Sequence, residues 1–151
     1  MFDPNRRQLL QGAMATACAT CAAACLPGSG GATGGIIAAG NASDLAVGDL
    51  VAVPDEALAI GLDQNGLYSL STLCTHALCD MAQHGSVNGG GLYCSCHGSR
   101  FDANGAVTRG PARTDLPHYA VSVDADGVIQ IDSDTEVDAS ERVPVVSNVP
   151  A

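Results

Sequence analysis

The chain has 151 residues, with sixteen Asp and Glu against six arginines and no lysine, giving a formal charge of −10 at pH 7. That length allows one domain with a modest core, and the charge excludes a nucleic-acid partner held through phosphates. Apolar residues are 46% of the chain but aromatics only 3%, so the core has to be made from Val, Leu, Ile and Ala in small, tightly turned β structure. The acidity fits plain solubility or a basic protein partner.

The opening "MFDPNRRQLLQG" sets Arg6 and Arg7 ahead of an alanine-rich run, "AMATACATCAAACLPG". A charged start, a weakly apolar middle and a small-residue end are the order of an export signal. The paired arginines, followed by Leu9 and Leu10, resemble a twin-arginine signal, a route that carries proteins already folded around a cofactor. Cys18, Cys21 and Cys25 lack the fourth thiolate and the folded loop that a cubane cluster needs. Cys25 instead marks a loose match to a lipoprotein processing site, and the 18 residues from Leu9 to Leu26 stand at the lower limit for a membrane span. Residues 1–26 are therefore expected to be a signal or anchor, and 27–43, rich in glycine, a flexible linker.

The folded domain is expected over 44–132. "DLVAV" (49–53), "ALAIGL" (57–62) and "LYSLST" (67–72) are short runs of β-formers, and "DQNG" between the last two predicts a hairpin turn with Gly66 at positive φ. "SVNGGGLYC" repeats the device and leads into Cys94. "FDANGAV" carries another turn, and "YAVSVDADGVIQI" reads as a hairpin around "DADG". No stretch after residue 48 shows a sustained 3.6-residue apolar period. The acidic tail, 133–151, is expected to pack loosely.

The chemistry gathers in "CTHALC" (74–79) and "CSCHGS" (94–99), which hold four of the seven cysteines and two of the four histidines. Two thiolates and two imidazoles are enough for a tetrahedral zinc site. A cysteine nucleophile beside His97 is a further option, though neighbouring residues rarely aim their side chains at one another. His84 and His118 lie outside both boxes and read as surface or packing residues.

The two boxes resemble those of the Rieske iron–sulfur family, C-T-H-x-x-C and C-x-C-H-G-S, over about residues 45–132. The resemblance implies an all-β, Rieske-type sandwich of three small antiparallel sheets with a rubredoxin-like cluster-binding subdomain. It implies one [2Fe–2S] cluster, with Cys74 and Cys94 on one iron, His76 and His97 on the other, and Cys79 and Cys96 in a disulfide of the disulfide-containing, cytochrome bc-like type. A 17-residue closure of that kind contributes roughly 3 kcal/mol by the chain-entropy estimate. Ser99 stands at the family position whose hydroxyl bonds a bridging sulfide, and Phe101 where quinol-oxidising members commonly carry tyrosine. "RGPAR" (109–113) resembles the proline loop that covers the cluster. Ala77-Leu78 departs from the Leu-Gly often found there, which weakens the case for docking at a quinone site.

The implied activity is one-electron transfer, as a subunit of an oxidoreductase rather than a complete enzyme. The leading expectation is the iron–sulfur subunit of a quinol–cytochrome c reductase-type or related periplasmic complex. It would lie on the periplasmic side of the inner membrane, anchored, lipidated or free. Cytochrome b/c-type or other oxidoreductase subunits are the expected partners, with quinol as a possible substrate. The alternatives are a stand-alone periplasmic or lipid-anchored Rieske ferredoxin, or the ferredoxin component of a ring-hydroxylating dioxygenase. The Cys79 and Cys96 pair opposes the last of these.

Overall fold

The computed structural model describes residues 35–145; the expected signal or anchor and the first eight residues of the expected linker, 27–34, lie outside them. Ten strands follow one another: β1 (Ile36–Asn41), β2 (Leu50–Ala52), β3 (Leu58–Asp63), β4 (Gly66–Ser71), β5 (Gly85–Asn88), β6 (Gly91–Cys94), β7 (Arg100–Phe101), β8 (Val107–Arg109), β9 (His118–Val123) and β10 (Val128–Val137). One 3-10 turn, Ala42–Asp44, is the helical element among the described residues. Hydrogen bonding arranges the strands as an antiparallel six-stranded sheet, β1-β10-β9-β4-β3-β2, and a four-stranded sheet, β5-β6-β7-β8. The seam between β4 and β9 consists of two residue pairs, Ser69–Tyr119 and Leu70–His118. The three expected groups of strands are thus present, two of them joined through that short seam.

The hairpins form where side-chain oxygens replace missing backbone partners at the turns. Asp63 Oδ1 accepts from the amides of Asn65 (2.7 Å) and Gly66 (3.1 Å), and Asp124 Oδ1 accepts from Asp126 and Val128, both at 2.9 Å. Gly66 has φ of +140°, and a Cβ there would collide with the Val143 carbonyl oxygen. β3 and β4 are buried almost throughout because they lie between two cores. Leu58, Ile60, Leu62 and Leu67 join Ile129 and Ile131 on one side. On the other, Ala59, Tyr68 and Leu70 join Met81, Leu92, Phe101 and Leu116. Each fully buried Leu, Ile or Phe contributes roughly 1.5–3 kcal/mol, so the second core fixes the four-stranded sheet against β4.

The ordered structure passes both expected boundaries. β1 begins at Ile36, inside the expected linker, and pairs with β10. β10 runs on to Val137, and the tail beyond it is packed as far as Val145. Val143 exchanges backbone bonds with Leu67 (2.8 and 2.9 Å). Arg142 Nε bonds Asp63 Oδ2 (2.6 Å), its Nη2 donates to Asn104 Oδ1 (2.6 Å), and its guanidinium lies 4.2 Å from the centre of the Tyr68 ring. Loose packing of the acidic tail is therefore corrected for residues 133–145: the carboxylates project outward while Val143 and Arg142 hold the strap down.

Candidate metal centre

β4 delivers the chain to the first box. Thr72 Oγ1 donates to Asp80 Oδ1 (2.6 Å), and the amide of Met81 donates to the Thr72 carbonyl (2.9 Å), closing the neck of the loop. Inside it, the Cys74 amide donates to the Cys79 carbonyl (2.9 Å) and the Leu78 amide returns to the Cys74 carbonyl (2.8 Å). β6 delivers the second box on the same plan: Cys94 donates to the Ser99 carbonyl (3.0 Å), and Gly98 donates to the Cys94 carbonyl (2.9 Å). The fifth residue of each box is left-handed, Leu78 at φ +56° and Gly98 at φ +84°. The disulfide between Cys79 and Cys96 joins the boxes, with the Cα atoms 6.7 Å apart.

This frame sorts the side chains by depth. Cys74 and Cys94 are the free cysteines among the described residues, 1% and 0% exposed. His76 and His97 are exposed, and their ring centres lie 4.7 Å apart, edge to face. Burial first, and then the neighbouring Cys74 thiol, push the Cys94 thiol above its ordinary range, so a metal that takes this sulfur as thiolate displaces a proton. Cys94 also lies within 4.8 Å of both disulfide sulfurs, which are already committed to each other.

Ser99 is fully buried, and its Oγ accepts from the Ala112 amide (3.0 Å). Its own proton has no acceptor among the described residues. Ala112 belongs to the loop 109–113, so the hydrogen bond that orients Ser99 also holds the expected proline loop over the boxes. Thr75 adds a second tie that residue type alone did not signal: its Oγ1 donates to the Thr114 carbonyl (2.6 Å). Phe101 is 2% exposed and packs in the core beneath the boxes. His84 is exposed, while its carbonyl accepts from the amide and hydroxyl of Ser95 (3.0 and 2.8 Å). His118 is buried, with Nε2 3.0 Å from the Asn104 carbonyl, and burial holds its pKa below the ordinary value. Neither joins the centre.

A family model, the Rieske [2Fe-2S] domain, matches residues 36–120. The chain belongs to the Rieske family. Its relatives include the cytochrome b6-f complex iron-sulfur subunit of Cyanothece sp., 39% identical over 118 residues that make up 65% of this chain and 64% of the relative. The same subunit of Synechococcus sp. (strain JA-3-3Ab) is 37% identical over 118 residues, 68% of this chain and 67% of the relative. A shorter match, 42% identical over 71 residues, covers 47% of the chain and 29% of iron-sulfur subunit 1 of the cyanelle of Cyanophora paradoxa. The Rieske chain thus spans under two thirds of the Cyanothece subunit and under a third of the Cyanophora one.

Among solved structures, the cyanobacterial plasma membrane Rieske protein PetC3 from Synechocystis is 30% identical over 63% of this chain and 97% of its own, with a TM-score of 0.48. A chain from the complex of reduced oxygenase and oxidized ferredoxin in carbazole 1,9a-dioxygenase aligns over 70% of this chain and 100% of its own. At 20% identity and a TM-score of 0.50 it shows the Rieske fold alone. The cofactor of this domain is one [2Fe–2S] cluster. The residues present fit it: two adjacent buried sulfurs, two exposed imidazoles close together, and a buried hydroxyl with an unused proton.

Proposed function

We propose that Cys74 and Cys94 hold one iron of the cluster and His76 and His97 the other. We infer that the chain acts as the electron-transfer subunit of a quinol-oxidising, cytochrome bc-type or related exported oxidoreductase. The observation that carries the ligand assignment is the opposed burial of the two pairs, sulfur inside and imidazole outside. When bound, such a centre supplies one-electron chemistry in the range known for Rieske centres as a class, roughly −150 to +300 mV, against about −400 mV for all-cysteine plant-type clusters. The chain's own residues do the rest. Burial keeps water from the thiolates, and the exposed rings offer their edges to a donor or acceptor. Ser99, held by Ala112, is placed to donate its proton to a sulfur and so favour the reduced form. Phe101 brings no hydroxyl to the same core.

Several observations support the wider reading. The relatives named above are subunits of the cytochrome b6-f complex, which favours cytochrome partners, with quinol as the donor. Arg6 and Arg7 ahead of an apolar run favour export to the periplasmic side, by twin-arginine signal and with an anchor or lipid at the N-terminus. Among the described residues no helix is long and apolar enough to cross a membrane. A free or lipid-anchored periplasmic shuttle is a second reading, favoured by Leu78. That side chain is 72% exposed on the first box, where the family often has Leu-Gly, so docking at a quinone site is altered. The Cys79–Cys96 bond opposes a dioxygenase ferredoxin.

Metal and acid-labile sulfide analysis of the purified full chain, with its visible spectrum, tests the ligand assignment. Equal iron and sulfide are expected, and replacing His76 and His97 by alanine removes the visible bands. A colourless zinc protein, or bands that survive the double replacement, overturns it. Co-purification of a cytochrome b with the membrane fraction separates the complex subunit from the shuttle.

A further inference from the structure

The charge of −10 is unevenly spread. Of the four described arginines, Arg100, Arg109 and Arg113 lie in the cluster-bearing stretch 72–117, with three carboxylates, Asp80, Asp102 and Asp115. The rest of the described chain holds twelve carboxylates and Arg142 alone. Arg142 is bound to Asp63, the one ion pair among the described residues. The three carboxylates near the cluster are turned to backbone and hydroxyl donors instead. Asp80 takes Thr72 and the Ala82 amide, Asp102 the amides of Asn104 and Ala106, and Asp115 the Val107 amide. Arg100, Arg109 and Arg113 are left exposed, with no carboxylate within 4.0 Å among the described residues.

Two of these arginines are brought together by the sheet. Strand register sets Ser86 against Tyr93, Tyr93 against Arg100 and Arg100 against Arg109, so one row crosses all four strands on the face opposite the core row Val87–Leu92–Phe101–Val107. Like charges directly opposite each other destabilise a sheet, and in a chain so rich in carboxylates neither arginine is given one. The Arg100 guanidinium lies over the Tyr93 ring, 4.6 Å from its centre, which orders it without neutralising it. Beside the row runs an open groove of about 260 Å³, lined by Ser86, Asn88, Tyr93, Arg100 and Thr108. Three members border the centre along the chain: Tyr93 precedes Cys94, Arg100 follows Ser99, and Arg109 opens the proline loop.

We propose that this row is a cationic docking surface for an acidic face of the electron-transfer partner, one of whose carboxylates enters the groove beside Arg100. It rests on the ligation proposed above, since the row matters for electron transfer only if the cluster sits at that end of the sheet. The acidic remainder of the molecule repels the same partner and turns the cluster end toward it. Net charge alone favours the opposite choice, a basic partner.

The test is stopped-flow oxidation of the reduced, full-length holoprotein, in which one electron passes from the protein to hexacyanoferrate(III), giving hexacyanoferrate(II). An acidic plastocyanin serves as the protein oxidant and tris(phenanthroline)cobalt(III) as the cationic control. Ionic strength is raised from about 0.01 M to about 1 M, which shortens the screening length from roughly 30 Å to about 3 Å. With both anionic oxidants the rate constant falls several-fold as salt rises, despite the net negative charge. In Arg100→Gln/Arg109→Gln the slope reverses, while Arg100→Lys/Arg109→Lys keeps it. Calorimetry with redox-inert hexacyanocobaltate(III) shows saturable binding at low salt that the glutamine pair abolishes. Rates that rise with salt in the unaltered protein, or glutamine variants that match it, overturn the proposal. So does arginine-dependent binding to phosphatidylglycerol vesicles without any effect on plastocyanin, which gives the row to a membrane. A missing cluster signal in the same samples is failure of the ligation instead.

Discussion

The two boxes share one backbone plan and differ in what fills it. In each, the first cysteine donates to the carbonyl five residues on and accepts from the amide four residues on. In each, the fifth residue is left-handed. The second box meets that demand with Gly98, which has no Cβ to clash. The first meets it with Leu78, held out in solvent. The sixth residue differs as well: Cys79 binds across to Cys96, while Ser99 turns inward beneath the proline loop. Box one therefore contributes a covalent tie and an exposed apolar tip, and box two a tuned interior. The comparison teaches that the frame comes from hydrogen bonds internal to each loop, and that the chemistry is placed on it by one or two residues.

The sharpest way to break the comparison is to cut the tie. Replacing Cys79 and Cys96 by serine removes a closure of 17 residues and lowers stability by about 3 kcal/mol, read as the denaturant midpoint of the cluster-loaded protein. An unchanged midpoint says that the loops hold each other without it. Next comes the interior of box two. With Ser99 donating to a cluster sulfur as proposed, Ser99→Ala removes a hydrogen bond to a charged group, of about 1.5–3 kcal/mol, and lowers the reduction potential by roughly 60–130 mV at 59 mV per 1.4 kcal/mol. Phe101→Tyr shifts it upward, so protein-film voltammetry must give opposite signs.

Smaller effects sharpen the contrast at the fifth residue. Gly98→Ala costs about 1 kcal/mol, all of it conformational, because a Cβ there meets nothing within 4 Å. Leu78→Gly gains about 0.5–1 kcal/mol by relieving the left-handed leucine. The two midpoints should move in opposite directions. The smallest effect lies far from both boxes, at Asp63. Burial acts to raise its pKa, but Arg142 and the amides of Asn65 and Gly66 outweigh this and hold the carboxyl below its ordinary 3.8. A depressed carboxyl pKa stabilises the fold above the unfolded value and is lost as pH falls through the folded one. Asp63→Asn should therefore lower stability modestly at neutral pH, where the Arg142 pair is lost, and flatten the acid side of the curve, so that variant and parent converge below about pH 4.

How much was legible follows the same physics. The hairpins at Asp63–Gly66 and Asp124–Gly127 were readable because turn chemistry is local and flanked by β-formers. The paired boxes were readable because the Cys and His spacing is rarely met by chance, and the Cys79–Cys96 bond followed from the same resemblance. β1 was not, since "IIAAGN" resembles the glycine-rich linker before it and becomes a strand only by pairing with β10. The tail misled for a related reason: Ser133–Val137 is polar and acidic, yet it extends β10, and Arg142 and Val143 act through partners more than seventy residues away in sequence, Asp63 and Leu67. Thr75, Ala112 and the Tyr93–Arg100–Arg109 row were hidden likewise, because register across strands is a tertiary fact.

The ligand assignment meets its most direct test in electron–nuclear double resonance on the dithionite-reduced, full-length protein grown with nitrogen-15 histidine. Two histidine nitrogen couplings to the reduced centre are predicted, and replacing either His76 or His97 changes them, whereas replacing His84 or His118 leaves both in place. A reduced centre with no nitrogen coupling, or couplings indifferent to His76 and His97, contradicts the account.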